Sequence, residues 1–206
     1  MERKKQPFKP TLVFIDGTYL YKISKEFERI TGQEFNLEYN QLANTLSKSQ
    51  GLWSNGVYYY CAPPYQNPNP SEEQRRRMAG HTKVMNYYRK NPCFFVREGR
   101  CQFVDGNYKE KGVDTLMIMD LMKAKDKKDI TSIILLACDT DFVPIIKELR
   151  KSGKEIILFH YSDRIRGSNF SMSNHLQTIC DKCVLLNQDI FSKSLFRPKS
   201  EKNNTK

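Results

Sequence analysis

Two stretches of this chain are apolar and β-rich almost without a break, Thr11-Leu12-Val13-Phe14-Ile15 and Ile130 to Ala137. Both run straight into aspartate: Asp16 after the first, and Cys138-Asp139-Thr140-Asp141 after the second. A strand with one wet face alternates apolar and polar residues, whereas a run without alternation needs cover on both faces, the usual condition of a parallel strand. Parallel strands cannot be joined by tight turns, so helices must lie between them. Helical patterns are found where they are needed, over Tyr19 to Ile30, Leu37 to Ser49, Ser71 to about Lys90, Asp114 to about Lys125, and from Pro144 to Ser152-Gly153. Further strands are expected at Gly56 to Cys61, Glu155 to His160 and Cys183 to Leu186. Cys93 to Glu98 and Cys101 to Asp105 read as a hairpin around Gly99, followed by a charged connection from Asn107 to Lys111. The fold class is therefore α/β, a three-layer sandwich around a mainly parallel sheet, in which ligands bind at the carboxyl ends of the strands.

Size and charge narrow the function. With 206 residues, 39% of them hydrophobic, the chain fits one domain with a real core. Residues 11 to 191 are assigned to that domain, 1 to 10 to a basic arm, and 192 to 206 to a polar, basic tail expected to be disordered. No run of eighteen apolar residues exists and the first residues do not resemble a signal peptide, so a cytoplasmic protein with no membrane contact is expected. The six cysteines are then reduced thiols. Lysine and arginine number 34 against 23 acids, a net charge of +11, which points to a polyanionic partner, nucleic acid before membrane.

Asp16, Asp139 and Asp141 follow strand ends, and Asp114 opens a helix after Lys111-Gly112-Val113. If the two apolar strands are neighbours, the four carboxylates converge, and each close pair costs about 4 kcal/mol at 4 Å and an effective dielectric near 20. Such a cluster needs protons or cations, and hard ions such as Mg²⁺ or Mn²⁺ take oxygen ligands together with a substrate's phosphate oxygens. Hydrolysis of a phosphodiester by a metal-activated water is the chemistry this suggests. Against it stands the ordinary use of an aspartate after a strand, which is to cap the next helix.

The stretches Val13-Phe14-Ile15-Asp16-Gly17, Lys111-Gly112-Val113-Asp114 with Asp120, Cys138-Asp139-Thr140-Asp141-Phe142, Gly153-Lys154, and Ser173 with Leu176 and Asp181 together resemble the NYN domains of the PIN-like nuclease superfamily. The resemblance runs from residue 12 to about 187. It implies a Rossmann-like sheet, metal-dependent cleavage of RNA, single-stranded or structured, and an acidic site at Asp16, Asp114, Asp139 and Asp141. Tyr19 stands where the family usually has asparagine, Cys138 where it has glycine, and Thr140 where it has serine. Asp120 matches the family pattern but lies about 240° around the helix from Asp114, so a supporting place is expected for it, as for Thr140 and Ser173. Tyr19, Lys111, Arg164, Arg166, Arg75 and Arg76 are the expected RNA contacts. An RNA-binding module without catalysis and a nuclease acting on DNA are the alternatives, and homodimerisation is left open. A zinc site at Cys180 and Cys183 with His160 and His175 lacks a second tight ligand pair, so buried thiols are expected there. Tyr58-Tyr59-Tyr60 is read as core packing.

Overall fold

A computed structural model of the chain describes residues 8–162, 170 and 174–196. The first apolar run is β1 (Lys9–Asp16), followed by α1 (Gly17–Thr31), α2 (Tyr39–Ser49), β2 (Leu52–Cys61) and α3 (Glu72–Arg89). Then come the short strands β3 (Phe94–Glu98), β4 (Arg100–Val104) and β5 (Asn107–Lys111), and the helix α4 (Val113–Lys125). The second apolar run is β6 (Ser132–Leu136), continued by a 3-10 turn (Thr140–Phe142), α5 (Val143–Lys151), β7 (Glu155–His160), α6 (Asn174–Ile179), β8 (Lys182–Leu185) and α7 (Gln188–Lys193).

Six strands form one sheet in the order β3-β2-β1-β6-β7-β8, and every pairing in it is parallel. The chain winds outward from β1 to β3, returns to lay β6 beside β1, and winds outward again to β8. Between β1 and β6 the winding direction reverses, and at such a reversal the helices part and leave a crevice at the carboxyl edge. Two separate cores cover the sheet. Val13 and Ile15 pack with Ile23, Phe27, Leu46 and Phe191 on one face, while Leu12 and Phe14 pack with Met117, Leu121, Ile146 and Leu149 on the other. The unbroken apolar runs are explained by this double cover.

Three expectations change. Cys93 to Glu98 and Cys101 to Asp105 do not pair: β3 is the edge strand of the main sheet, parallel to β2, and β4 forms an antiparallel ribbon with β5. Gly99 is the branch point. Its N–H donates to the Cys61 carbonyl at 2.9 Å, and a Cβ there would lie 2.5 Å from the Lys111 carbonyl oxygen, so the residue is a crossing of backbones and not a turn. The turn lies at Asp105 and Gly106, both with positive φ (53° and 77°), closing a ribbon that contains the supposed charged connection. The third change concerns the tail: Ser192 to Phe196 are docked, with Ser194 buried, Leu195 bridging to Leu37, and the Phe196 N–H donating to the Asn36 carbonyl at 2.7 Å. No helix among the described residues is long and apolar enough to cross a membrane.

Candidate active site

Asp16 ends β1 and caps α1, its Oδ1 accepting the N–H groups of Thr18 (2.9 Å) and Tyr19 (3.0 Å). Asp139, just beyond β6, caps the 3-10 turn through its Oδ1, which accepts the Asp141 N–H at 2.9 Å. Capping and ligand duty therefore coexist, because in each case a single carboxylate oxygen does the capping. Asp114 lies in the first turn of α4, whose positive end favours an anion. Asp16, Asp114 and Asp139, with Thr18, Lys22, Val113 and Cys138, line a cavity of about 180 Å³ at the crevice between β1 and β6.

A fourth carboxylate joins them in the cavity wall. Glu110, on β5, lines the same cavity and accepts a hydrogen bond from the Thr18 hydroxyl at 2.7 Å. The aspartate motifs did not point to it, because residues 107–111 read as a connection. Asp105-Gly106, a strong hairpin signal between strand-like flanks, would have placed Glu110 on a strand running back toward Asp114.

The carboxylates feel one another. Burial raises the pKa of Asp16 to about 6, the hydrogen bonds from Tyr19 and Thr18 oppose the rise, and Asp114 and Glu110 add to it. Asp114 is raised as well, by desolvation first and then by Asp139, Asp141 and Glu110. None of the five, Asp141 included, forms an ion pair with a lysine or arginine among the described residues. Asp141 and Thr140 are exposed beside them.

A divalent ion fits this donor set, which is all oxygen, negatively charged and in no ion pair among the described residues. No three of the carboxylates bring ligand atoms within 4.8 Å of one another, so the fit is to an ion that keeps much of its water, as Mg²⁺ does. The one trio that close among the described residues is Cys61, His81 and Glu98. There Glu98 is already bonded to His81 (2.7 Å) and Arg89, and burial holds the Cys61 thiol up at about 12, so it is a neutralised group and not a vacant charge.

Other expected residues are placed differently. Asp120 does not line the acidic cavity: it is 6% exposed and bonded to Arg97 (2.7 Å), Lys123 (3.1 Å) and the Tyr60 hydroxyl (3.2 Å). Tyr19 lies on the wall of the acidic cavity, but it is 2% exposed and its hydroxyl accepts the Tyr161 N–H at 2.9 Å, so most of its ring is core. Lys111 is exposed at the foot of the ribbon. Arg75 and Arg76 are exposed on α3, and helical spacing sets Arg76 one turn before Gly80. Gly80 lines a second, larger cavity of about 540 Å³ that shares Thr18 and Glu110 with the acidic one. Arg164, Arg166 and Ser173 lie outside the described residues. Cys183 is exposed, contrary to a buried thiol, while burial lifts Cys180 to about 12. Tyr58 stacks on Phe14 and Phe95, and Tyr59 on Tyr39, as core.

The NYN domain family model matches residues 10–187. The chain belongs to the NYN domain family. That family lies within the PIN-like nuclease superfamily, whose members are nuclease-type hydrolases that generally depend on divalent metal. A solved structure of a protein of unknown function from Vibrio parahaemolyticus is similar in fold, with a TM-score of 0.56 at 18% identity over 92% of this chain and 98% of that one. No curated protein matches the chain.

Proposed function

We propose that this NYN domain is a Mg²⁺- or Mn²⁺-dependent ribonuclease that hydrolyses RNA phosphodiester bonds at the cavity lined by Asp16, Glu110, Asp114 and Asp139. The observation that carries the reading is the gathering of five carboxylates, none in an ion pair among the described residues, at the sheet's switch point. A divalent ion supplies an acidified water as nucleophile and neutralises charge on the leaving oxygen. The chain's own residues do the rest. Asp16 and Asp139 each keep one oxygen free of the capping bonds for the ion, Glu110 is oriented by Thr18, and Asp141 borders the site. Lys22, on the cavity wall, is placed to donate to a non-bridging phosphate oxygen. Exposed Arg76 and Lys111 offer backbone charge to the strand.

No histidine lines the acidic cavity, so nothing there drives attack by the RNA's own 2′-hydroxyl. Cleavage is expected to leave 5′-phosphate and 3′-hydroxyl ends. Incubating labelled RNA and DNA of one sequence with the protein, in manganese, magnesium or chelator, tests the reading. Metal-dependent cutting of RNA that is lost in Asp139→Asn supports it. Binding without cutting favours the RNA-binding alternative, and cutting confined to DNA favours the other. Millimolar manganese should also raise the melting temperature, since a ligand held only by the folded state stabilises it.

A further inference from the structure

We propose that the β4–β5 ribbon is a stacking platform for unpaired bases of the strand entering the acidic cavity, which makes the substrate single-stranded. The inference rests on the nuclease reading for the direction of that strand.

Three rings cluster on the ribbon and on the loop beside it. Phe103 and Tyr108 face each other across the strands with centroids 5.0 Å apart, and Tyr65 lies 5.9 Å from the first and 5.7 Å from the second. None of the three belongs to either core. Packing alone would hide such rings, yet Phe103 is 49% exposed and Tyr108 65%. A two-stranded ribbon gains little stability by itself, so exposed aromatic area there calls for an occupant.

Register says which way the rings point. Residues directly opposite share a face, and faces alternate along a strand. Phe103 and Tyr108 therefore share a face with the pair Cys101 and Glu110. Glu110 and Cys101 both line the larger cavity, and Glu110 also lines the acidic one. Tyr108 is two residues from Glu110, about 7 Å along the strand. The other face carries Arg100, Lys109 and Lys111 and no acid, a local excess of positive charge that draws in a polyanion. Aromatic faces in line with a phosphate-cutting site, on a basic ribbon, suit bases that are unstacked and unpaired. Every base has a π face, so the platform is indifferent to sequence. A duplex keeps its bases inside and gains nothing from it.

The test measures binding in chelator, so cleavage is not required. A fluorescent twelve-nucleotide RNA of mixed sequence, the same RNA annealed to its complement, and the matching DNA strand are titrated against wild type and Phe103→Ala/Tyr108→Ala. Affinity for the single strand should fall by about 5- to 150-fold, the range for loss of one stacked base. The salt slope should be unchanged, because no phosphate contact is lost, and duplex affinity should not move. Phe103→Leu/Tyr108→Leu keeps an apolar cross-strand pair without π faces and should lose as much. Tyr108→Trp in a Trp53→Phe background should bind as wild type and be quenched by the single strand only. Unchanged affinity in both double variants, or an equal loss for duplex, overturns the proposal. A protein that shows the single-strand loss yet never cuts RNA keeps the platform and overturns the nuclease reading. One that cuts single strands equally well with the alanine pair overturns the platform and keeps the nuclease.

Discussion

Helix α4 carries Asp114 in its first turn and Asp120 near its middle, and the two have opposite surroundings. Asp120 meets a guanidinium, an ammonium and a phenol, and its charge is matched on the spot. Asp114 meets Asp139, Asp141 and Glu110, all of its own sign, and its pKa rises through desolvation first and then through these neighbours. Asp120 ties α4 to β2 and β3 and thereby serves the fold. Asp114 works against the fold, which tolerates it because the cost is confined to one cavity at the sheet edge. A carboxylate that the protein leaves unmatched awaits a partner from outside.

Substitution should separate the two sharply. The largest effect expected is on cleavage: Asp114→Asn should lower metal-dependent RNA cutting at least about 100-fold, the scale of losing a group that acts on transition-state charge. Its melting temperature in chelator should stay level or rise, and a clear fall would show that Asp114 is structural after all. Asp120→Ala should do the reverse. It strands Arg97 and the Tyr60 hydroxyl and should cost about 2–3 kcal/mol, somewhat below the usual figure for a broken buried pair because Arg97 is partly exposed. Melting should drop by roughly 4–12 °C, with manganese-dependent cutting by the folded protein little changed.

Asp16 sharpens the contrast through pH. Its folded pKa of about 6 lies above the ordinary value of 3.8, so the folded state binds the extra proton. Its destabilising charge is absent below about pH 4 and fully present above about pH 6. Asp16→Asn keeps a capping side chain and should stabilise the metal-free protein by about 1–2 kcal/mol at pH 7.5, allowing for solvent in the cavity. The gain should shrink as pH is lowered toward 4. A gain that stays constant over that range in thermal melts would remove Asp16 from the acidic group. The smallest effect belongs to Tyr19→Phe, which loses the bond from the Tyr161 N–H. About 1 kcal/mol of stability should go, with RNA affinity untouched in the same titrations.

The two apolar runs showed both central strands and three of the four aspartates, because burial on both faces leaves a mark that needs no knowledge of neighbours. The angle between Asp114 and Asp120 was equally legible, being a property of one helix. What decided Asp120's role was Arg97, on a strand that meets α4 only in the folded chain. Tyr19 illustrates the same limit. Its place beside Asp16 was visible, but its ring turns into the core to reach Tyr161, a residue 142 positions away. Glu110 was hidden by a wrong pairing, since short strands of mixed pattern on either side of a glycine look like a hairpin whether or not the chain turns there.

Gly99 has a wider consequence. A Cβ on it would lie 2.8 Å from the Val113 side chain, so the chain leaves the sheet and comes back to almost the same spot. Residues 100–112 are an excursion whose two ends nearly coincide, and the entropy of closing such a loop grows only slowly with its length. The sheet and both cores therefore do not register how long the excursion is, and the aspartates feel only Glu110 at its foot. Evolution can rewrite the tip of this segment freely, while Glu110 at its foot and the four aspartates stay in place.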